Sequence, residues 1–296
     1  MKKYLLLRDE IKEDTVVALG DFDGVHLAHK KLMRETVEKA KEEGIASAVY
    51  IFDKNNKKGK VITSQELKES LIFYEGIEII AVQETNEDFF KTSCEDFVKN
   101  IIKGKLNAKF VVAGRNYTFG KGGKGTSELL CELCEKEGIK ALIIEDVLYE
   151  NKTISSSEIR NLLSEGDIEK ANILLGYNYI IKGKVEKGKQ LGRTLGFPTA
   201  NVYPEENIAL PRFGVYLAEV EISGEKLKAI VNVGVRPTVN GKEPSVEAYI
   251  KGIERDLYGE EIQISFIKFI RGEKKFASVD ELKKQIEADA EKGGLL

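Results

Sequence analysis

The stretch Gly24-Val-His-Leu-Ala-His-Lys-Lys-Leu-Met33 holds both histidines of the chain, His26 and His29. An apolar run, Thr15-Val-Val-Ala-Leu-Gly20, and a tight Asp21-Phe-Asp-Gly24 loop precede them. If the run is a strand and the histidines open a helix, imidazoles at i and i+3 share one face. The first helical turn also carries free backbone N–H groups. Together these make an anion site suited to phosphate, with both imidazoles donating hydrogen bonds. Two ordinary surface histidines fit the same residues. A metal pair fits less well, because no third ligand accompanies them.

Three other clusters have chemical potential. Ile154-Ser-Ser-Ser-Glu-Ile-Arg160 sets Ser155 and Ser156 at a helix start, with Arg160 one turn on. N–H groups, hydroxyls and a guanidinium can hold a triphosphate. The same pattern also reads as an N-cap with a surface arginine. In Gly192-Arg-Thr-Leu-Gly-Phe-Pro-Thr-Ala-Asn-Val-Tyr-Pro204, Pro198 fixes φ and Gly196 permits an unusual turn. Thr199 and Asn201 face one side of an extended segment. Their hydroxyl and amide oxygens suit Mg²⁺, which completes its shell with phosphates and water. A Pro-Thr turn with an asparagine turn residue fits equally. Finally, Cys131-Glu-Leu-Cys134 has metal-site spacing. It lies in a helix-like segment with no second pair, so both thiols read as small apolar residues. Three cysteines in all argue against a disulfide framework.

These residues need a scaffold, and the hydrophobic pattern predicts one. Strand-like runs at 15–20, 45–52, 77–82, 108–114 and 139–145 alternate with helical segments. A helix over His26–Glu43 closes at Gly44. Thr63-Ser-Gln-Glu66 and Ser93-Cys-Glu-Asp96 have the spacing of capping boxes, and Ser155-Ser-Ser-Glu158 opens a helical stretch towards Gly176. This alternation predicts an α/β domain whose parallel sheet is covered on both faces. Over 179–270 the grammar changes to short β-branched runs with frequent glycines, as in an antiparallel barrel or sandwich. Ser278-Val-Asp-Glu281 caps a final helix ending near Gly293. With 296 residues, two domains are expected, over 1–178 and 179–296.

The net charge of −3 gives no overall attraction to nucleic acid or anionic membrane. No apolar run approaches the ~20 residues of a membrane span. The N-terminus lacks the apolar core and cleavage site of a signal peptide. A cytoplasmic protein is the expectation.

Gly20-Asp-Phe-Asp-Gly-Val-His-Leu-Ala-His-Lys-Lys-Leu32 resembles the N-terminal motif of bacterial bifunctional riboflavin kinase/FAD synthetases, close to G-x-F-D-G-V-H-x-G-H. This motif belongs to the nucleotidyltransferase superfamily, whose HxGH histidines bind nucleotide phosphates. Ala28 stands at the internal glycine. The resemblance implies catalytic roles for His26 and His29, and nucleotide binding by Phe22, Asp23 and Gly24. Val111–Gly125 resembles the family's glycine-rich segment, which implies flavin binding by Asn116, where many members carry aspartate. Ser155, Ser156 and Arg160 match the family's I-S-S-x-x-I-R motif, implying nucleotide binding. One segment departs: members carry a stretch close to T-F-D-P-H-P, of which only Phe52 and Asp53 match here.

In the second half, Gly192–Asn201 resembles the riboflavin kinase motif G-x-x-x-G-F-P-T-A-N, whose threonine and asparagine, here Thr199 and Asn201, bind Mg²⁺ and nucleotide. Asn232–Val239, Asp256-Leu-Tyr-Gly259 and Phe269–Lys292 also match. Glu247 falls at the family's catalytic base and Arg271 at its arginine near the flavin. The resemblance implies a Rossmann-like nucleotidyltransferase domain followed by an antiparallel β-barrel kinase domain with a terminal helix. It implies phosphorylation of riboflavin by ATP to FMN, then adenylylation of FMN to FAD with release of pyrophosphate. Mg²⁺ would be the cofactor. The partners would be small-molecule flavins and ATP, with no nucleic acid, membrane or obligate protein partner. The alternatives are a riboflavin kinase whose first domain is degenerate, and a flavin-binding regulator without turnover.

Overall fold

A computed structural model describes residues 1–53, 59–186, 199–205, 207–238, 241–253 and 255–295. The altered loop at 54–58 and the first part of the Gly192–Asn201 motif, through Pro198, lie outside the described residues. The chain divides into two compact units, Met1–Gly59 with Thr63–Ser156, and Lys60–Ile62 with Ser157–Leu296.

Among the described residues, the first unit is built on a six-stranded parallel sheet. Its strands are β1 (Lys2–Leu5), β2 (Thr15–Leu19), β3 (Ala46–Phe52), β4 (Ile79–Gln83), β5 (Ala108–Gly114) and β6 (Lys140–Ile144), in the order β1-β4-β3-β2-β5-β6. Apolar side chains point both ways from β2. Val17 and Leu19 join one core; Val16 and Ala18 join the other. That two-sided burial explains why the strand reads as an unbroken apolar run. Helices α1 (Leu27–Glu43) and α2 (Gln65–Tyr74) cover one face. The short α3 (Cys94–Asp96), the π-helical Phe97–Lys105 and α4 (Ser127–Lys136) cover the other. Cys134 is part of this core.

The sequence pattern suggests about five strands, and β1 is the addition. Its four residues include two lysines, so it carries little apolar signal. It adds in parallel to the edge strand β4, and Lys2 and Lys3 pair with Glu13 and Glu69. Lysines on an edge strand discourage pairing with another chain.

The 63–66 signature also resolves differently. Ser64, not Thr63, caps α2, with Oγ accepting from Leu67 N at 3.2 Å. Thr63 serves the loop before α1 instead: its Oγ1 accepts from Gly24 N at 3.2 Å, and its N–H donates to Asp23 Oδ1 at 3.4 Å. After β6, a small hairpin pairs β7 (Leu148–Tyr149) with β8 (Lys152–Thr153). Its turn residues Glu150 and Asn151 both have positive φ, 49° and 62°, which suits the twist of a two-residue hairpin.

The second unit contains all of α5 (Ser156–Glu165) but its first residue, then α6 (Ile168–Leu175), a closed barrel and α7 (Val279–Lys292). The expected single helical stretch to Gly176 breaks at Gly166, where φ is 86°, and Asp167 caps α6. The barrel strands are β9 (Tyr179–Glu186), β10 (Thr199–Val202), β11 (Gly214–Ile222), β12 (Glu225–Thr238), β13 (Gly241–Ile250) and β14 (Glu261–Gly272). They close antiparallel in the order β10-β13-β12-β11-β14-β9. Contacts group α6 with the barrel: Asn172 Nδ2 donates to Phe266 O at 2.8 Å, and Tyr179 N donates to Asn172 Oδ1 at 2.7 Å.

Candidate functional site

The loop between β2 and α1 is strained. Phe22, Gly24 and Val25 have φ of 53°, 83° and 40°. For a β-branched residue such as Val25 this is a real outlier. Strain of this kind persists only where the surroundings over-determine it. Here they do: Phe22 and Val25 are fully buried, and Ser156 Oγ donates to Asp23 O at 2.9 Å. Lys68 Nζ donates to Asp21 O at 3.1 Å. Gly20 leaves room beneath the turn, where a Cβ would sit 3.1 Å from the Phe22 ring.

The loop delivers the two histidines as a stacked pair, ring centroids 3.6 Å apart. His26 is the N-cap of α1, and its Nδ1 accepts from His29 N at 3.4 Å. This refines the expectation that both imidazoles donate to an anion at a helix start with free N–H groups. The His29 N–H is already taken, and an accepting Nδ1 puts the His26 proton on Nε2. His26 is 4% exposed, and burial pushes its pKa down to about 4. At neutral pH it is therefore an uncharged donor.

A pocket of about 280 Å³ opens beside this pair. His26, Ala28 and His29 line it with Gly114, Asn116, Asp146, Thr153, Ser155 and Ser156. It lies at the carboxyl ends of β2, β5 and β6. The chain runs outward from β2 through β3 to β4, then returns to β5, so β2 and β5 flank the switch point where ligands bind in such sheets. Three separate sequence stretches thus meet at one cavity. The side chains of Phe22 and Asp23 do not line it; with Gly24 they shape the loop. Most of the glycine-rich segment is structural as well. A Cβ on Gly120 would meet Cys94 Sγ at 2.6 Å, and Phe119 and Gly125 form a bridge. Arg160 lies in the second unit, where its Nη2 donates to Ser157 Oγ at 3.2 Å. Asp53 accepts from Thr85 N and Oγ1 at 3.1 and 2.7 Å.

On the barrel, the other candidates fall into one register row. Asn201 pairs with Glu247, Glu247 with Asn232, Asn232 with Val215, and Val215 with Arg271. Paired residues project to the same face of a sheet. Ala200, Val202, Val246 and Ala248 alternate with them and are buried inside the barrel. Thr199 shares the outer face, two residues from Asn201. Arg271 also ties down α7. Its Nε donates to Asp289 Oδ1 and Oδ2 at 3.1 and 3.0 Å, its Nη2 to Oδ2 at 2.7 Å, and its Nη1 to Gly272 O at 3.0 Å.

Family models match both halves: FAD synthetase over residues 8–158 and riboflavin kinase over 175–294. A bifunctional riboflavin kinase/FMN adenylyltransferase from Bacillus subtilis is 38% identical, covering 97% of this chain and 93% of that protein. The protein of the same name from Escherichia coli K12 is 32% identical over 94% and 91%. The chain belongs to the bifunctional riboflavin kinase/FMN adenylyltransferase family.

The family's two enzymatic parts are both present, in the expected order, and the parallel-sheet and barrel architectures agree with them. A solved structure from Streptococcus pneumoniae described as a macrolide-efflux protein superposes with a TM-score of 0.90 at 31% identity, covering 98% of each chain. Among the described residues, no helix of this chain is long and apolar enough to cross a membrane. Sequence reasoning missed Asp146 and Thr153 in the first pocket and Asn232 in the barrel row. Of these, only Asn232 sits in a quoted motif.

The buried histidine predicts a pH effect. Unfolded, its pKa returns to about 6.5, so between that value and about 4 the unfolded chain binds the extra proton. Stability must then rise with pH across this window, by up to about 3 kcal/mol from His26 alone. Urea unfolding of the first unit at pH 7 and pH 4.5, compared with His26→Asn, measures it. The variant keeps a capping acceptor and loses the proton. It should lose less stability on acidification; an equally steep loss would refute the burial argument.

Proposed function

We propose that the barrel, within residues 179–296, phosphorylates riboflavin to FMN, and that residues 1–178 adenylylate FMN to FAD. In the first reaction the ribityl 5′-hydroxyl attacks the γ-phosphorus of ATP, ADP leaves, and Glu247 takes the hydroxyl proton. Thr199 and Asn201 supply a hydroxyl and an amide oxygen on the barrel face that carries Glu247, with Asn201 in register with it, a donor set that suits Mg²⁺ and nucleotide oxygens. Bound there, Mg²⁺ would neutralise phosphate charge. Phosphoryl transfer depends mainly on positioning and charge neutralisation, so this small set is sufficient. Arg271 contributes on the flavin side.

In the second reaction a phosphate oxygen of FMN attacks the α-phosphorus of ATP and pyrophosphate leaves. His26 Nε2–H, His29, Ser155 and the backbone N–H of Ser156, whose hydroxyl is given to Asp23 O, hold the triphosphate oxygens, and the family motif adds Arg160 as a nucleotide contact. Phe22, Asp23 and Gly24 act through the loop that presents the histidines, and Asn116 contacts the flavin. The convergence of residues 26–29, 116 and 155–156 on one pocket at the β2/β5 switch point carries this reading. The setting is cytoplasmic, with flavins and ATP as the partners.

The test is one incubation with riboflavin, excess ATP and Mg²⁺, with flavins separated over time. FMN followed by FAD is expected. His29→Ala should slow the FMN-to-FAD step by about 10²-fold and leave FMN formation intact. FMN that accumulates without FAD in the unaltered protein would favour a kinase whose first unit no longer adenylylates, with Ala28 in the pocket wall the first residue to revert.

A further inference from the structure

Asn116 carries an ambiguity that its neighbour removes. A side-chain amide has an acceptor corner and a donor corner of nearly equal size, so an isolated asparagine can present either. Here Nδ2 donates to both carboxylate oxygens of Asp146, each at 3.2 Å. Asp146 is in turn held by Thr153 Oγ1, which donates to its Oδ2 at 3.4 Å from β8. All three residues line the pocket beside the histidine pair. A carboxylate accepts only, so it can engage Nδ2 and never Oδ1. The amide is thereby locked with its carbonyl oxygen on the side away from Asp146.

We propose that Asp146 is a positioning residue that makes Asn116 an obligate hydrogen-bond acceptor towards the flavin nucleotide. The group it selects is a donor, either a ring N–H or a ribityl hydroxyl. The pair reproduces the acceptor character of an aspartate at position 116 without adding a second negative charge near the substrate phosphates. This rests on the reading of the pocket as the FMN adenylylation site.

The asymmetry of the pair makes it testable by exchange. Asp146→Asn is isosteric but can offer either corner to Asn116, so the lock is lost. Asn116→Asp sets two carboxylates against each other at the same separation, which disfavours both being charged. The double exchange, Asn116→Asp with Asp146→Asn, again places an acceptor at 116 and a donor at 146. Each single variant should raise KM for FMN about tenfold, the worth of one hydrogen bond, with KM for ATP and kcat little changed. The double exchange should return KM for FMN to within about twofold of the original. FMN affinity, read by flavin fluorescence without ATP, should follow the same pattern.

A structural role alone would lower the thermal midpoint of the first unit in the single variants and leave KM unmoved. That outcome overturns the proposal, as does a rise confined to ATP. If the unaltered protein makes no FAD, the adenylylation reading fails by itself. The fluorescence titration then still decides whether Asp146 sets FMN affinity.

Discussion

Glu247→Gln should slow FMN formation from riboflavin by about 10²–10⁴-fold, the span of a lost general base. The substitution keeps size and hydrogen-bonding capacity but cannot take a proton. Glu247 lies between Asn201 on β10 and Asn232 on β12, in a row of paired backbone that the closed barrel holds rigidly. Glutamine should therefore leave the neighbouring strands in place. Supplying FMN bypasses the affected step, so FAD formation from FMN should match the unaltered protein. The check is a pair of initial rates, one from riboflavin and one from FMN. A riboflavin rate within about threefold of the original would remove Glu247 as the base. Loss of both rates would indicate misfolding.

Asp289→Asn should destabilise the barrel unit by about 3–5 kcal/mol. The Asp289 side chain is 2% exposed, and three of its contacts come from Arg271, itself 20% exposed. Gln285 Nε2 adds a fourth at 3.0 Å to Oδ1. Cutting one partner leaves a mostly buried guanidinium without its counter-charge, which costs far more than a surface ion pair. The pair also anchors α7, whose Ala290 packs with Leu295, Val215 and Ile230 on the outer wall. The thermal midpoint of this unit should fall by about 10 °C, read by calorimetry. Replacing both partners with apolar residues of similar volume should recover much of the loss. A shift below about 2 °C for Asp289→Asn would show that the apolar contacts alone hold the helix.

What the sequence made legible was what repeats or patterns locally. The strands buried on both faces stood out as apolar runs, and Ser93 and Ser278 capped where their spacing placed them. The paired histidines and the Ser155–Ser156 start pointed to one cavity because each opens a helix near the end of a strand. Features set by distant partners were not legible. The Lys2–Leu5 strand is defined by β4, not by its own composition. Thr63 looked like a cap, and only the fold shows it holding Asp23 and Gly24. The tie between Arg271 and Asp289 joins a strand end to a helix. Asp146 sits in no motif, and its value comes from the amide it faces. Asn201 and Glu247 were legible as motif positions, but their adjacency follows from strand register.

The barrel's seam has a consequence for how the protein is made. Its first strand, β9, must pair with its last, β14, before the wall can close. All residues of the first unit have been translated by Ser156. Synthesis runs from the N-terminus at about 5–20 residues per second, so for on the order of ten seconds each nascent chain carries a foldable parallel sheet beside an unclosed barrel. During that interval the strands of the open barrel have unpaired edges. Translational pausing before β14 would prolong that exposure, and the kinase half is where chaperone demand and aggregation of newly made chains should concentrate.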